Sequence, residues 1–369
     1  MIRNAIAILF LLVVCSTKSV NGQTSIATTA HKGYLLAHRP MVEGLRQDRV
    51  RGFDLSISRR TDGSKDWHHQ YNFPEAGLYI GVWNLGNREE LGTGISLIPY
   101  VDFPLARHRN SAWVIKFGWG VGFIEKKFDA EDNYKNVAVG SRINNAILLH
   151  PRYQFNISKS LALATGISLT HYSNGSFESP NLGVNMAALT LSLSLKLGAD
   201  TLSMHKDTIM EKGRQWQLFA SAFAKEVAPA DGDKYVVGTL MGEHMWRRTN
   251  KFSFGVGADV FLDKSFSGKD GFKESNGLLG YIRTGVHAST EMHVGRTALV
   301  LAMGSYVYSG VIGETFYHRF GIRQQIGERY LLCMHVKSHW GKADFMEFGV
   351  ARIWKNKKQN DQIHMKGQS

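Results

Sequence analysis

The sequence has few cysteines, and the two present cannot form an internal disulfide once an N-terminal signal has been removed. Cys15 lies in the N-terminal apolar segment, and Cys333 is the other cysteine. A disulfide framework and a cysteine metal site are therefore both excluded. No group of Asp, Glu or His with ligand spacing lies near the residues singled out below, so we expect neither a metal nor another cofactor.

Long apolar runs are absent after residue 22, which excludes a helical transmembrane span from the mature chain. The N-terminus has Arg3, an apolar run from Ala5 to Val14, and then small or polar residues. This order predicts a secretory signal peptide over residues 1–22, cleaved after Gly22. The mean hydropathy of −0.20 is ordinary for a soluble protein. Transmembrane strands, however, turn only alternate residues toward lipid and escape such averages.

Acidic residues are outnumbered by basic ones. The chain has 31 Asp and Glu against 44 Lys and Arg, a formal charge of +13. A basic balance suits an anionic partner, either nucleic acid or a phosphorylated lipid surface. Because the signal peptide predicts export, a phosphorylated lipid surface is favoured over nucleic acid as the anionic partner. On charge alone, a basic exported protein without a dedicated anion site is the alternative.

What the chain does have is side-chain alternation through most of its mature length. Between Trp113 and Phe123 the odd positions are aromatic or apolar, and the even positions include Lys116 and three glycines. From Leu189 to Leu197 every odd position is leucine. Alternate side chains of a strand point to opposite faces. Small residues on the polar face predict a transmembrane antiparallel β-barrel with a narrow interior; a soluble all-β protein is the alternative.

About eight such segments lie on each side of a charged linker at residues 199–215, which predicts an all-β fold of about 16 strands. The expected barrel halves are residues 23–198 and 216–354, followed by a polar tail at 355–369. They form either a single large barrel or two eight-stranded halves in tandem. The long linker favours the tandem. We prefer the single barrel, because two membrane barrels on one chain are rare.

The polar face of the second half carries more charge than that of the first. Its charged side chains include Arg283, His287, Glu291, Arg319 and Arg323. Such groups survive inside a barrel only if they pair with one another or line water. We interpret the second half as structural or channel-like, without a second catalytic centre.

One strand of the first half ends in residues suited to chemistry. Over residues 161–173 the bulky apolar side chains are at odd positions, so His171 and Ser173 continue the apolar face. Histidine can take the proton that a nucleophilic serine must lose. The imidazole then needs an orienting group. Asn185 has the right parity on the next segment and meets His171 if residues 176–183 form a hairpin loop. A rim histidine beside a loop-starting serine is the structural alternative.

Residues from about 77 to 197 resemble the PagL-type lipid A 3-O-deacylases, an acyloxyacyl hydrolase-like family. The residues that carry the resemblance are His171, Tyr172, Ser173, Asn174 and Gly175, followed by Pro180, Asn181 and Gly183, together with the runs 118–122 and 140–144. The resemblance implies an outer-membrane barrel that hydrolyses an ester-linked acyl chain of lipid A. It implies that His171 is the general base and Ser173 the nucleophile. It says nothing firm about the second half.

The third catalytic position departs from the family pattern. The resemblance implies a glutamate where this chain has Asn185. An amide can orient the imidazole but cannot supply negative charge, so we expect a slower reaction or a changed pH profile. Glu178 is the alternative orienter if its loop folds back. Asn174, Gly175 and Asn181 are the candidates for oxyanion stabilisation and substrate binding.

We therefore expect an outer-membrane serine esterase of a Gram-negative bacterium, a carboxylic ester hydrolase with a Ser-His-Asn variant triad. Its substrate is lipid A of lipopolysaccharide, and the bond cut is the 3-O-linked ester. The alternatives are a catalytically lapsed barrel acting as a channel or structural protein, and an esterase of glycerophospholipids. The expected partners are lipid A and outer-membrane lipid, without nucleic acid, and a homodimer is left open.

Overall fold

The first half of the chain closes into a barrel by itself. The structure is a computed structural model that describes residues 23–198, 213–227, 230, 232–268 and 272–355. The strands of the first half are β1 (Thr24–Leu35), β2 (Val50–Arg60), β3 (Glu75–Asn84), β4 (Thr93–Arg107), β5 (Ser111–Ile124), β6 (Ile143–Asn156), β7 (Leu161–Ser173) and β8 (Val184–Leu197). Consecutive strands pair antiparallel, and β8 pairs with β1, which closes the ring.

The second half repeats this architecture. Its strands are β9 (Gly213–Glu226), β10 (Lys234–Arg247), β11 (Phe252–Asp263), β12 (Ile282–Val294), β13 (Thr297–Ser309), β14 (Phe316–Ile326), β15 (Tyr330–His339) and β16 (Lys342–Lys355). Pairing of β16 with β9 closes this second ring. The connections contain helices α1 (Pro40–Glu43) and α2 (Asp66–Gln70) and the 3-10 helices Lys264–Gly268 and Glu274–Tyr281. None of the helices in the described residues is long and apolar enough to cross a membrane.

The predicted all-β fold of two eight-stranded halves in tandem is confirmed, and the preference for a single large barrel is wrong. The reason lies in the strand edges, which must find a partner. The free edges of β1 and β8 pair with each other along the whole of β1, so nothing remains for the second half to extend. The predicted signal peptide lies outside the described residues. So do residues 199–212 of the predicted linker, and β9 already begins at Gly213.

Side-chain direction in β7 follows the alternation of the sequence. Leu163, Ile167 and Leu169 point outward and are exposed, whereas Ala164 and Ser168 point inward and are buried. The outward side chains of the other strands of the first barrel are mostly apolar as well, whereas the inward side chains include large apolar ones, among them Trp83, Ile98 and Leu148. An outer face of exposed apolar side chains is the pattern of a barrel that faces lipid.

The interior of the first barrel is filled by side chains toward the end where β7 finishes, and at the opposite end it holds a cavity of about 820 Å³ lined by residues that include Glu75, Asp102 and Arg152. The large side chains of Trp83 and Tyr79 extend across the interior of the barrel, which explains why the residues that face them are small. Buried charges are paired: Arg152 makes a bidentate contact with Asp102, with nitrogen–oxygen distances of 2.8 and 2.7 Å.

The interior of the second barrel is filled by a network of ion pairs, as its polar face predicted. The Arg323 guanidinium donates to Glu243 and Glu291, each at 2.7 Å. Arg319 donates to Glu347 at 2.6 Å and to Asp259 at 3.1 Å. All of these side chains are buried. Opposite charges therefore compensate one another in a space with little water, which is the condition for burying them.

The two ends of the first barrel differ in their connections. At the end where the chain enters β1, the turns that join β4 to β5 and β6 to β7 are short, and residues 61–74, which contain α2, form one longer connection. At the other end lie four longer connections, residues 36–49, 85–92, 125–142 and 174–183. β7 finishes at this second end, so Ser173 lies where the barrel wall meets the loops.

Candidate active site

The end of β7 places His171 and Ser173 on the outside of the first barrel. Tyr172, between them in the sequence, points inward and is fully buried. His171 and Ser173 are only partly exposed, because neighbouring strands and the following loop cover them. Below them on the same face lie the exposed side chains of Leu169 and Leu189. A polar pair thus lies at the upper border of an apolar surface.

His171 is hydrogen-bonded on both ring nitrogens. Its Nε2 lies 2.9 Å from Ser173 Oγ, and its Nδ1 lies 2.6 Å from Asn185 Oδ1. An amide oxygen can only accept a hydrogen bond, so Nδ1 must carry the proton. Nε2 is then left as an acceptor for the Ser173 hydroxyl. This is the tautomer that a general base for serine requires.

Strand register brings Asn185 to this position. His171 on β7 and Asn185 on β8 are directly paired in the ladder. Their side chains point to the same face, and directly opposed residues have side chains within contact distance. The loop after Ser173 therefore acts as the predicted hairpin connection, and the three residues form one hydrogen-bonded chain.

A fourth residue, His38, extends this chain. Asn185 Nδ2 donates to His38 Nδ1 at 2.9 Å, across a sequence separation of 147 residues. His38 is exposed in the connection after β1. Sequence reasoning missed it, because only closure of the barrel brings β1 beside β8. No pattern in the sequence marks His38 as part of the site.

The loop at residues 174–183 is held by Asn174. Its backbone N–H donates to Asn181 Oδ1 at 2.9 Å. Its side-chain amide donates to Ser141 Oγ at 3.0 Å and to the Glu178 carbonyl at 2.9 Å. Asn174 therefore uses these donors to hold the loop. Asn181 Nδ2, by contrast, is buried and has no hydrogen-bond partner among the described residues.

Two glycines of the loop are required by their surroundings. Gly175 has φ of +64°, and a Cβ there would lie 2.2 Å from Met346 Cγ of the second barrel. Gly183 has φ of +81°, and a Cβ there would lie 2.9 Å from His171 Cε1. Both positions favour glycine by conformation and by space. Gly183 keeps room for the imidazole, and Gly175 allows the second barrel to approach.

Glu178 is not brought to His171. Its carboxylate lies 3.4 Å from Lys234 Nζ and 3.9 Å from Lys127 Nζ, so it forms ion pairs at the loop surface. Asn185 is the side chain that contacts the imidazole. Among the described residues, no cluster of three or more His, Cys, Asp or Glu side chains has a geometry that could hold a metal ion.

Two contacts from neighbouring strands support Ser173. Asn145 on β6 donates through Nδ2 to the Ser173 carbonyl at 3.3 Å. Trp119 on β5 in turn donates from Nε1 to Asn145 Oδ1 at 3.2 Å. Inside the barrel, the hydroxyl groups of Tyr172 and Ser96 lie 2.7 Å apart. The end of β7 is thus fixed from both faces.

Two family models match the sequence, one on each barrel. The model described as "Lipid A 3-O-deacylase (PagL)" matches residues 51–194. The model described as "Acyloxyacyl hydrolase, C-terminal domain" matches residues 214–356. The first match contains His171, Ser173 and Asn185 and confirms the resemblance seen in the sequence. The second match extends the family resemblance to the second half of the chain, where the sequence motifs gave no indication. No match to the sequence is found among curated proteins.

Several solved structures align with most of the chain, at low similarity. The NanC porin covers 88% of this chain and 97% of its own, at 8% identity and a TM-score of 0.16. A triple mutant of the Rhodopseudomonas blastica porin covers 90% of this chain and 99% of its own, at 9% identity and a TM-score of 0.18. These scores are too low to support any argument about function.

Proposed function

The chain belongs to the lipid A 3-O-deacylase (PagL) family, and we propose that it is an outer-membrane serine esterase that removes the 3-O-linked acyl chain from lipid A. The observation that carries this proposal is the chain of hydrogen bonds from Ser173 through His171 to Asn185. It lies on the outer face of a barrel, where an acyl chain in a membrane can reach it.

The site supports a two-step acyl transfer. Ser173 Oγ attacks the ester carbonyl and gives its proton to His171 Nε2. The ester bond breaks, the proton passes to the departing sugar oxygen, and a seryl ester remains. Water then attacks this ester, gives a proton to His171, and the fatty acid leaves as Ser173 regains its hydrogen. Each step uses one base and returns it to its starting form.

Asn185 orients the His171 imidazole but adds no negative charge beside it. Its amide oxygen accepts from His171 Nδ1, and its amide nitrogen donates to His38 Nδ1. If the amide turned over, its NH2 group would face the protonated Nδ1 of His171. His38 therefore supports the orientation in which Asn185 holds the productive tautomer. The imidazolium formed during reaction receives no carboxylate, so each step is slower than with an acidic orienter.

Asn181 is the side chain best suited to stabilise the oxyanion. Its Oδ1 accepts from the backbone N–H of Asn174, the residue after the nucleophile, so its amide group lies close to Ser173. Its Nδ2 has no partner among the described residues and is buried. A preorganised donor beside the reacting carbonyl is what the tetrahedral intermediate requires.

The loops at the active-site end of the first barrel expose basic side chains that can contact a phosphorylated lipid headgroup. The exposed basic residues of the first barrel's loops include Arg39, Arg46, Arg49, Arg88, Lys126, Lys135 and Arg142. Arg142 precedes the strand whose Asn145 pairs directly with Ser173. Basic side chains at a membrane surface attract anionic headgroups. The same loops also expose seven carboxylates, so a phosphorylated headgroup would be bound by individual basic side chains such as Arg142 and not by a net positive charge.

The channel alternative is disfavoured by the barrel interiors. Eight-stranded barrels have room for side chains and little else. Here that space holds Trp83 and Tyr79 in the first barrel and the Arg319 and Arg323 ion pairs in the second. A continuous water path would require these buried charges to separate.

The test is mass spectrometry of lipid A from a Gram-negative host that expresses the full chain. The wild type should remove one ester-linked acyl chain, and Ser173→Ala should remove none. Ser160→Ala, an exposed serine at the opposite end of β7, is the matched control and should act like the wild type. Heat-modifiable migration checks that each variant has folded. Unmodified lipid A in cells that contain folded wild-type barrel overturns the proposal.

A further inference from the structure

The two barrels contact each other along one side. Trp119 on β5 points outward from the first barrel, and Met346 on β16 points outward from the second. Yet both are almost completely buried, at 5% and 1% exposure. The Trp119 ring stacks on Phe320 of β14, with centroids 5.4 Å apart and planes 1° apart. Each barrel thus covers outward side chains of the other.

This contact continues into the loop that follows the nucleophile. Ser176 Oγ donates to the Ala343 carbonyl at 3.1 Å, and the Glu226 N–H donates to the Ser176 carbonyl at 3.0 Å. Lys234 Nζ lies 3.4 Å from Glu178 Oε1. These contacts come from β16, β9 and β10. Three strands of the second barrel therefore hold a loop that belongs to the first.

Met346 reaches closest to the nucleophile. Asn145 Nδ2, which donates to the Ser173 carbonyl, also lies 3.9 Å from Met346 Sδ. On the other side of Ser173, Gly175 packs so tightly on Met346 that a Cβ would collide with it. One side chain of the second barrel thus contacts both Asn145, which is hydrogen-bonded to the Ser173 carbonyl, and Gly175 in the loop that follows Ser173.

We propose that the second barrel is a working part of the deacylase site, and that Met346 is a positioning residue for Ser173. The inference rests on the proposed function. The second barrel acts by fixing the loop at residues 174–183 and the carbonyl of Ser173. Without this support, Ser173 Oγ and the Asn181 amide would sample positions unsuited to attack. Misplacement by about 1 Å can cost on the order of 100-fold in rate.

The experiment compares Met346→Ala with Met346→Leu, which keeps the volume of the side chain. Val350→Ala, on the same outward face of β16 but exposed, is the control. All are purified as the full chain with heat-modifiable migration like the wild type. Met346→Ala should lower kcat for lipid A deacylation about tenfold with KM within about twofold, because it disturbs position and not binding. Met346→Leu should recover most of the loss, and Val350→Ala should match the wild type.

A second readout separates this inference from the choice of substrate. An alkyl fluorophosphonate forms a bond between Ser173 Oγ and phosphorus and releases fluoride, while His171 takes the proton. Its labelling rate reports the nucleophile without lipid A. Slower labelling of Met346→Ala, with recovery in Met346→Leu, supports the positioning role even if lipid A is not cut. A Met346→Ala variant with wild-type labelling and kcat overturns it, as does a wild type that shows neither Ser173-dependent labelling nor hydrolysis.

Discussion

His171 and Asn185 face each other directly across the ladder of β7 and β8, and 2.6 Å separates the ring Nδ1 from the amide Oδ1. The contact sets which ring nitrogen carries the proton, and so which one can accept from Ser173. It adds no charge, because an amide is neutral. Position and tautomer are therefore provided by Asn185, whereas stabilisation of the imidazolium is not.

Supplying that charge should accelerate the reaction. Asn185→Asp keeps the shape of the side chain and places a carboxylate beside Nδ1, so we expect kcat to rise on the order of tenfold. Hydrolysis of lipid A at neutral pH measures the change. Asn110→Asp makes the same substitution in an exposed turn at the opposite end of the barrel and should leave kcat unaltered. An unchanged or lower kcat in Asn185→Asp contradicts the role given to Asn185.

Removing the partner of Asn185 should slow the enzyme moderately. His38→Ala deletes the acceptor of the Asn185 amide, so the amide can turn over and lose the productive tautomer. A hydrogen bond worth about 1 kcal/mol corresponds to a loss of kcat of about fivefold, with KM little changed. His108→Ala, an exposed histidine at the other end, is the control. If His38→Ala and His108→Ala have the same kcat, His38 does not contribute to the reaction.

The inward side of the active-site strand should be sensitive to loss of one hydroxyl. Tyr172→Phe leaves the fully buried Ser96 hydroxyl without its partner at 2.7 Å. We expect the free energy of unfolding to fall by about 1–3 kcal/mol. Urea unfolding in lipid vesicles, followed by circular dichroism, measures it. Adding Ser96→Ala should recover part of the loss, since both polar groups are then gone; an additive double variant would argue against the contact.

The ion pairs inside the second barrel should be essential to its stability. Arg323→Met removes the guanidinium shared by Glu243 and Glu291, which are buried and, among the described residues, keep only the ion pairs to His287 at 3.2 Å and His293 at 3.6 Å, respectively. Breaking a buried pair in this way costs about 3–5 kcal/mol. The same unfolding experiment should show this loss, whereas Arg329→Met in an exposed turn should change little. If Arg323→Met unfolds at the wild-type urea concentration, the network does not stabilise the barrel.

Contact between the barrels at the end opposite the active site should weaken at high pH. The Tyr71 hydroxyl donates to the His293 carbonyl at 2.7 Å, and burial raises the pKa of Tyr71 to about 12. The unfolded value is about 10, so the folded state favours the neutral phenol. Its stabilising contribution is complete below about pH 10 and is lost as pH rises toward about 12. Unfolding of Tyr71→Phe should lack this part of the pH dependence; parallel pH profiles would contradict it.

Much of the fold and of the site could be predicted from alternation alone. The period of two along residues 161–173 assigns each side chain to a face, whichever strand lies beside it. It therefore put His171 and Ser173 outside before any partner strand was known. Asn185 followed from the same rule, because a hairpin loop makes consecutive strands neighbours. These are local properties, and a short stretch of chain determines them.

The sequence did not decide how many barrels form, because that depends on which strand edges pair, and the paired edges lie far apart along the chain. Whether β8 returns to β1 or continues into β9 changes no alternation, so one barrel and two were equally compatible with the pattern. Only closure of the first ring brings His38 to Asn185, and only the packing of one ring on the other brings Met346 to Gly175. The sequence determined which way each side chain faces; tertiary structure decided what each one meets.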